Sequence, residues 1–153
     1  MYPLQHLWIG AVFASMIFFI FPEITLLGFF IIVASGVLID VDHYLIYVGI
    51  TKDINLRNAY LWNLEAGRKL RGLSREERKE LRHCFFIFHG IEPLVVVYLL
   101  SLYIHQYFFF IFVGMSFHMF LDIIELIRRR YGFRKISLIY DIIRFDKTKL
   151  VHK

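Results

Sequence analysis

Four long apolar stretches, separated by polar segments, dominate the pattern of the 153-residue chain. They cover about residues 4–21, 24–50, 84–104 and 107–127. Each comes close to or exceeds the roughly 20 residues that a helix needs to cross about 30 Å of hydrocarbon. The pattern therefore predicts an all-α integral membrane protein with four transmembrane helices, arranged as two hairpins that turn near Pro22 and His105.

Two polar segments complete the single predicted domain of residues 1–153: a loop over residues 51–83 and a tail over residues 128–153. In the loop, the run Ser-Arg-Glu-Glu from Ser74 resembles a capping box and predicts the start of a helix. In the tail, isoleucines recur at helical spacing, which predicts an amphipathic helix lying at the membrane interface. These isoleucines are Ile136, Ile139, Ile142 and Ile143.

Composition and charge placement agree with this topology. Hydrophobic residues make up 58% of the chain and aromatic residues 18%. All 18 Lys and Arg residues lie in the predicted loop and tail. Because such residues are retained on the cytoplasmic side, both segments and both termini are predicted to be cytoplasmic in a multi-pass protein of the cell membrane. The net charge of +5 is explained in this way, so membrane lipids are the expected partners and nucleic acid is not.

The ionisable residues inside the apolar stretches are histidines and carboxylates, without Lys or Arg. This is the ligand set of zinc, manganese or iron sites. The topology places these residues in the cytoplasmic half of the bundle, so we expect one or two divalent ions there, with zinc as the first choice. The predicted ligands are His6, Asp40, Asp42, His43, His89, Glu92, His118 and Asp122, with His83 and Glu125 as weaker candidates.

Local spacing supports a shared site. His118 and Asp122 are separated by four residues, and His89 and Glu92 by three, so each pair is predicted to share one helix face. An Asp at a span centre costs roughly 2.5 to 3.5 kcal/mol on insertion scales, which a bound metal would offset. A proton relay or a hydrogen-bonded packing network is the competing interpretation of the same residues.

The two carboxylates of the second stretch, Asp40 and Asp42, face different directions on a regular helix. A bend or break near Asp40, eased by Gly36, would let both converge on a metal. Alternatively, one of them could orient a ligating imidazole through its second ring nitrogen.

Three sequence blocks resemble the YdjM-like family of membrane-bound metal-dependent hydrolases, also described as LexA-binding inner membrane-associated hydrolases. The blocks are His6-Leu7-Trp8-Ile9-Gly10, Asp40-Val41-Asp42-His43 and His118-Met119-Phe120-Leu121-Asp122. The family's further block, His-Arg-Gly-x-Thr-His-Ser, is replaced here by His83-Cys84-Phe85 and His89-Gly90-Ile91-Glu92. The resemblance implies metal binding and hydrolase activity at a membrane.

Two functional hypotheses follow from these observations. The first is a metal-dependent hydrolase that acts at the cytoplasmic leaflet on an ester or phosphoester of a lipid-like amphiphile. Asp42 or Glu92 would then be the general base. The second is a non-enzymatic protein, either a metal-stabilised membrane scaffold or an ion or proton carrier.

Overall fold

The computed structural model describes residues 3–73, 86–128 and 137–139, and within these ranges the regular structure is helical. The helices are α1 (Pro3–Ile20), α2 (Leu26–Leu38), α3 (Val41–Thr51), α4 (Leu56–Gly72), α5 (Ile91–Tyr103) and α6 (Tyr107–Arg128). The predicted all-α class is confirmed for this part of the chain.

Two helical stretches are long and apolar enough to cross a membrane. One is Leu26–Thr51, which comprises α2 and α3, and the other is α6. Helices α1 and α5 are also apolar but shorter, and the 13 residues of α5 extend about 20 Å at about 1.5 Å per residue. Two of the four predicted spans therefore meet the length criterion, and the complete four-span topology stays a prediction.

Helix α5 begins later than the apolar stretch predicted. Residues 87–90 form bends, Gly90 is the N-cap, and the helix starts at Ile91. Pro93 lies in its first turn, where the missing N–H of proline costs no helical hydrogen bond. Because His89 precedes this helix, the prediction that His89 and Glu92 share one helix face is wrong.

The helix is interrupted between α2 and α3, at Ile39 and Asp40, where a bend or break is one of the two alternatives that the sequence leaves open. The Asp40 amide donates to the Val37 carbonyl, three residues back, at 3.1 Å. An uninterrupted α-helix would instead direct this amide to the Gly36 carbonyl, four residues back. The break therefore leaves the Gly36 carbonyl oxygen available to another donor.

Helices α2 and α6 cross in close contact at Gly36 and Gly114. A methyl group added to Gly114 would lie 2.1 Å from the Ser35 hydroxyl oxygen and 2.3 Å from the Ile32 carbonyl oxygen. Small residues allow backbones to approach in this way, a common feature of helix packing in membranes. The crossing brings His118, one turn after Gly114, close to the break in α2.

Helix α4 folds back against α3, within the segment predicted as a polar loop. The Asn55 side chain caps its start by accepting from the amides of Arg57 and Asn58. The Tyr47 hydroxyl donates to Asp53, and this bond, with others, holds the pKa of Asp53 below its usual range. The helix predicted from Ser74 lies outside the described residues, as does most of the predicted tail helix.

Candidate metal centre

The predicted ligands converge at one end of the bundle. His6 lies about 14 residues before the end of α1, Asp40 about 14 residues after the start of α2, and Asp122 about 15 residues after the start of α6. At about 1.5 Å per residue, each lies roughly 21 Å from the opposite helix end. Parallel packing of α2 and α6, with α1 antiparallel to both, therefore brings the three side chains to one level.

Two residues of α6 and one of α1 form the first group, which we call the Asp122 triad: His6, His118 and Asp122. The Nε2 atom of His6 is 3.3 Å from Asp122 Oδ1, and that of His118 is 3.5 Å from Asp122 Oδ2. The two imidazole rings stack with centroids 4.2 Å apart. One potential ligand atom from each residue lies within 4.8 Å of the others.

The second group, the Asp40 triad, joins the break between α2 and α3 to the segment that precedes α5. It consists of Asp40, His43 and His89. Asp40 Oδ1 is 3.4 Å from His89 Nε2 and 3.8 Å from His43 Nε2. These three residues also offer one ligand atom each within a 4.8 Å range.

The two triads are continuous. His118 Nε2 is 3.6 Å from Asp40 Oδ1, and His89 Nε2 is 3.8 Å from Asp122 Oδ2. Each carboxylate therefore faces imidazoles of both groups. In the described ranges, no Lys or Arg forms an ion pair with either carboxylate. The cluster thus has the composition that suits a bound cation.

Hydrogen bonds to the far ring nitrogens orient two of the imidazoles. His118 Nδ1 lies 2.6 Å from the Gly36 carbonyl oxygen, and His89 Nδ1 lies 3.2 Å from Asp42 Oδ2. Both oxygens can only accept, so each Nδ1 carries the proton and each Nε2 presents a lone pair to the cluster. A carbonyl or carboxylate behind the imidazole is the usual arrangement for a metal-ligating histidine.

Asp42 occupies this orienting position and not a position among the six clustered ligands. Its side chain is 2% exposed, and its Oδ2 atom also accepts from the Phe88 amide at 2.6 Å. One buried carboxylate thus holds both the backbone before α5 and the ring of His89. Of the roles considered for Asp42 from the sequence, the geometry favours the orientation of an imidazole.

Glu92 belongs to neither triad. Its carboxylate accepts from the Ser137 hydroxyl and from the amides of Leu138 and Ile139, at 3.0 and 3.1 Å. The structure therefore does not bring Glu92 to the metal centre, because α5 begins after His89 and directs this side chain to the tail.

The remaining sequence candidates lie elsewhere. Glu125 pairs with Arg128 at 3.1 Å, and His83 lies outside the described residues. His105, expected to be remote, accepts from the Tyr107 amide at the opposite end of α6. Six of the eight predicted ligands are brought together: His6, Asp40, His43, His89, His118 and Asp122.

The donor atoms of this cluster fit a metal ion. Among the described residues, the buried Nε2 atoms of His89 and His118, which face the cluster, have no hydrogen-bond partner. Leaving such atoms unsatisfied is costly, and a cation would satisfy them. The buried His and Asp groups could therefore hold a metal ion. One edge is open, since the side chains of His43 and Asp122 are 40% and 32% exposed.

Two contributors to the site were missed by the sequence reasoning. The Gly36 carbonyl and the Phe88 amide are backbone groups, and every residue type has a backbone carbonyl. The residue types at these positions therefore do not indicate that their backbone groups contribute to the site. Gly36 was considered for its flexibility, whereas the structure uses its carbonyl to orient His118.

No protein-family model, curated protein or solved structure matches this chain. The fold and the site define the class: an all-helical protein, in its described part, with two apolar helical stretches able to cross a membrane and a His/Asp cluster able to hold a metal ion. The resemblance to the YdjM-like family stays a prediction.

Proposed function

We propose that this protein is a membrane-embedded, metal-dependent hydrolase that acts at the cytoplasmic leaflet on an ester or phosphoester of an amphiphile. The observation that carries the proposal is the pair of joined triads, in which two imidazoles are oriented by separate hydrogen bonds behind the ring. Such preorganisation is characteristic of metal sites.

The surface of the helices supports the membrane location. Many large apolar side chains are exposed, among them Phe19 at 82% and Tyr103 at 80%. Lipid solvates such a surface, whereas water would not. The segregation of all 18 Lys and Arg residues supports a cytoplasmic position for the metal centre.

The donor set accommodates one or two divalent ions, one for each triad. When bound, a divalent ion would polarise an ester oxygen and lower the pKa of a water molecule. The mixed nitrogen and oxygen ligands suit zinc, with manganese or iron as alternatives. His89 and His118 would present Nε2 to the metal, and Asp42 and the Gly36 carbonyl would retain the protons on Nδ1.

Proton transfer requires a carboxylate that the substrate can reach. Asp42 is buried and engaged by two donors, and Glu92 is engaged by the tail. Asp40 and Asp122 line the open edge, with side chains 21% and 32% exposed. An oxygen of either residue that is not bound to metal would accept the proton of the attacking water.

The YdjM-like family is part of this proposal. The three blocks that carry the resemblance supply His6, then Asp40 with Asp42 and His43, then His118 with Asp122. Five of these six residues lie in the two triads, and the sixth, Asp42, orients His89. This arrangement supports the proposal that the three blocks contribute to one metal site.

A metal-stabilised scaffold is the second candidate, and one observation favours it. His6, His89 and His118 are each less than 9% exposed, as in a structural site enclosed by protein. The open edge at His43 and Asp122 favours the hydrolase, because a substrate could approach there.

Metal analysis combined with activity assays would decide between them. Protein purified without added metal would be examined by elemental analysis and assayed on carboxylic esters and phosphoesters of amphiphiles, before and after chelation. We expect bound metal and hydrolysis that is lost on chelation and restored by metal. Tightly bound metal, closed coordination by X-ray absorption and no turnover would reject the hydrolase in favour of the scaffold.

A further inference from the structure

Helix α4 carries apolar side chains on two different faces. One face packs on α3: Ala59 is 4% exposed, and the Trp62 ring lies 5.7 Å from that of Tyr47. The other, which we call the exposed stripe, consists of the exposed Leu56 and Tyr60 and the half-buried Leu64, spaced four residues apart along one side of the helix.

The exposed stripe has large apolar surface outside the protein core. Leu56 is 72% exposed and Tyr60 is 39% exposed, and the neighbouring Ile54 is 74% exposed. A contiguous apolar surface at the edge of an otherwise polar segment marks an interaction site.

The level of α4 relative to the bilayer indicates which partner covers this surface. The 26 residues of Leu26–Thr51 extend about 39 Å, more than the roughly 30 Å of hydrocarbon but within the 40–45 Å that includes the headgroups. Thr51 therefore lies at headgroup level if α2 begins at the outer hydrocarbon edge. Tyr47, one turn earlier, then lies near the inner edge of the hydrocarbon.

The contact between Trp62 and Tyr47 returns α4 towards that edge. Trp62 is six residues beyond the start of α4, yet it contacts a residue one turn before the end of α3. Helix α4 thus packs against α3 at this level. Trp and Tyr are enriched at this level of membrane proteins, since their rings are apolar and their tips are polar.

Charge identifies the kind of lipid. Arg57 follows Leu56, and Arg68 lies one turn beyond Leu64, so a cation stands beside each end of the exposed stripe. Glu65 lies on the side opposite Leu56, nine residues on, and pairs with Lys69. Basic residues that flank an apolar stripe suit a surface of anionic headgroups.

We propose that α4 is an interfacial helix whose exposed stripe lies in the anionic inner leaflet, beside the metal centre. This inference rests on the proposed membrane topology. It replaces the expectation of a solvated loop with a lipid-bound hairpin of α3 and α4. Since α3 begins directly after Asp40, lipid contact with this hairpin also steadies the helix that carries Asp42 and His43.

Fluorescent labelling in vesicles tests the proposal on the full chain. Cys84, the single cysteine, would be replaced by Ser, and one new cysteine introduced by Leu56→Cys, Glu65→Cys or Leu99→Cys. Each variant would carry an environment-sensitive probe in phosphatidylcholine vesicles, with or without phosphatidylglycerol, and with brominated lipids as quenchers. Leu99 is an exposed residue of α5 and reports on the spans themselves.

We expect the probe at position 56 to show blue-shifted emission and strong quenching by brominated lipid, and the probe at position 65 to show neither. Quenching at position 56 should increase with phosphatidylglycerol. It should decrease in about 1 M salt, where the screening length falls to about 3 Å.

The outcomes separate this proposal from the topology on which it rests. Quenching at position 99 with equal, weak quenching at positions 56 and 65 would overturn the interfacial helix and leave the spans intact. Failure of quenching at position 99 would overturn the membrane topology itself. Protection of position 56 from both lipid and aqueous quenchers, with crosslinking between copies, would show that a second copy covers the stripe and would also overturn the proposal.

Discussion

His118 lies in the second half of α6, whereas His105 lies two residues before its start, and the two histidines have different surroundings. His118 is 2% exposed, its Nδ1 donates to the Gly36 carbonyl, and its Nε2 faces two carboxylates. His105 is exposed, and its Nδ1 accepts from the Tyr107 amide in a short turn. His118 thus suits a metal site because the fold supplies both an acceptor behind its ring and carboxylates in front of it, and His105 has neither arrangement.

Asp40 and Asp42 repeat this contrast within one segment. Asp40 faces imidazoles of both triads and lies at the open edge. Asp42, two residues later, is buried behind His89. The two residues differ in their position relative to the helix break: Asp40 is a candidate ligand, whereas Asp42 orients one.

The largest expected effect comes from removing a candidate ligand at the clustered end. His118→Ala or Asp122→Asn should abolish stoichiometric metal binding, with a loss of affinity above the roughly 10 to 100-fold typical of an orienting partner. Calorimetric titration of the purified protein with zinc, manganese and iron would measure it. His105→Ala is the matched control at the other end and should leave affinity unchanged; equal losses would refute the contrast between the two histidines.

Asp42→Asn should have a smaller effect on the same measurement. The amide can still accept from the Phe88 amide, but it no longer provides a charged partner for His89 Nδ1, so we expect metal affinity to fall about 10 to 100-fold. Asp40→Asn should lower metal affinity by a larger factor than Asp42→Asn. If the two variants exchanged places in this ranking, Asp42 would be the ligand and Asp40 the orienting residue.

Gly114→Ala addresses the crossing that brings α6 to the Gly36 carbonyl. The added methyl group would meet the Ser35 side chain and the Ile32 backbone, so we expect about 1–3 kcal/mol of destabilisation. Thermal unfolding in detergent would measure this change. Gly10→Ala is the control, since an added methyl group there has nothing within 4 Å. Comparable destabilisation by both substitutions would contradict close packing at Gly114.

Glu92→Gln should have the smallest effect on the site. Because its carboxylate binds the Ser137–Ile139 segment, we expect unchanged metal content and turnover, with faster hydrogen exchange at the amides of Leu138 and Ile139. Retained metal with lost turnover would instead identify Glu92 as the general base.

The sequence by itself determined the helical class and the identity of most clustered residues. These properties depend on apolar run length and on the cost of burying ionisable groups, both of which are local. His6, Asp40, His118 and Asp122 were predictable as one group because each lies at a similar distance from a predicted turn.

The tertiary structure alone decided which contacts each residue makes. The direction of Glu92 depends on where α5 begins, and the roles of Asp40 and Asp42 depend on backbone geometry at the break. Helix α4 and its two apolar faces depend on the contact between Tyr47 and Trp62. A one-residue change in helix register rotates a side chain by about 100°. The hydrophobic pattern therefore predicts where a residue lies along a helix, but it does not predict the direction of its side chain.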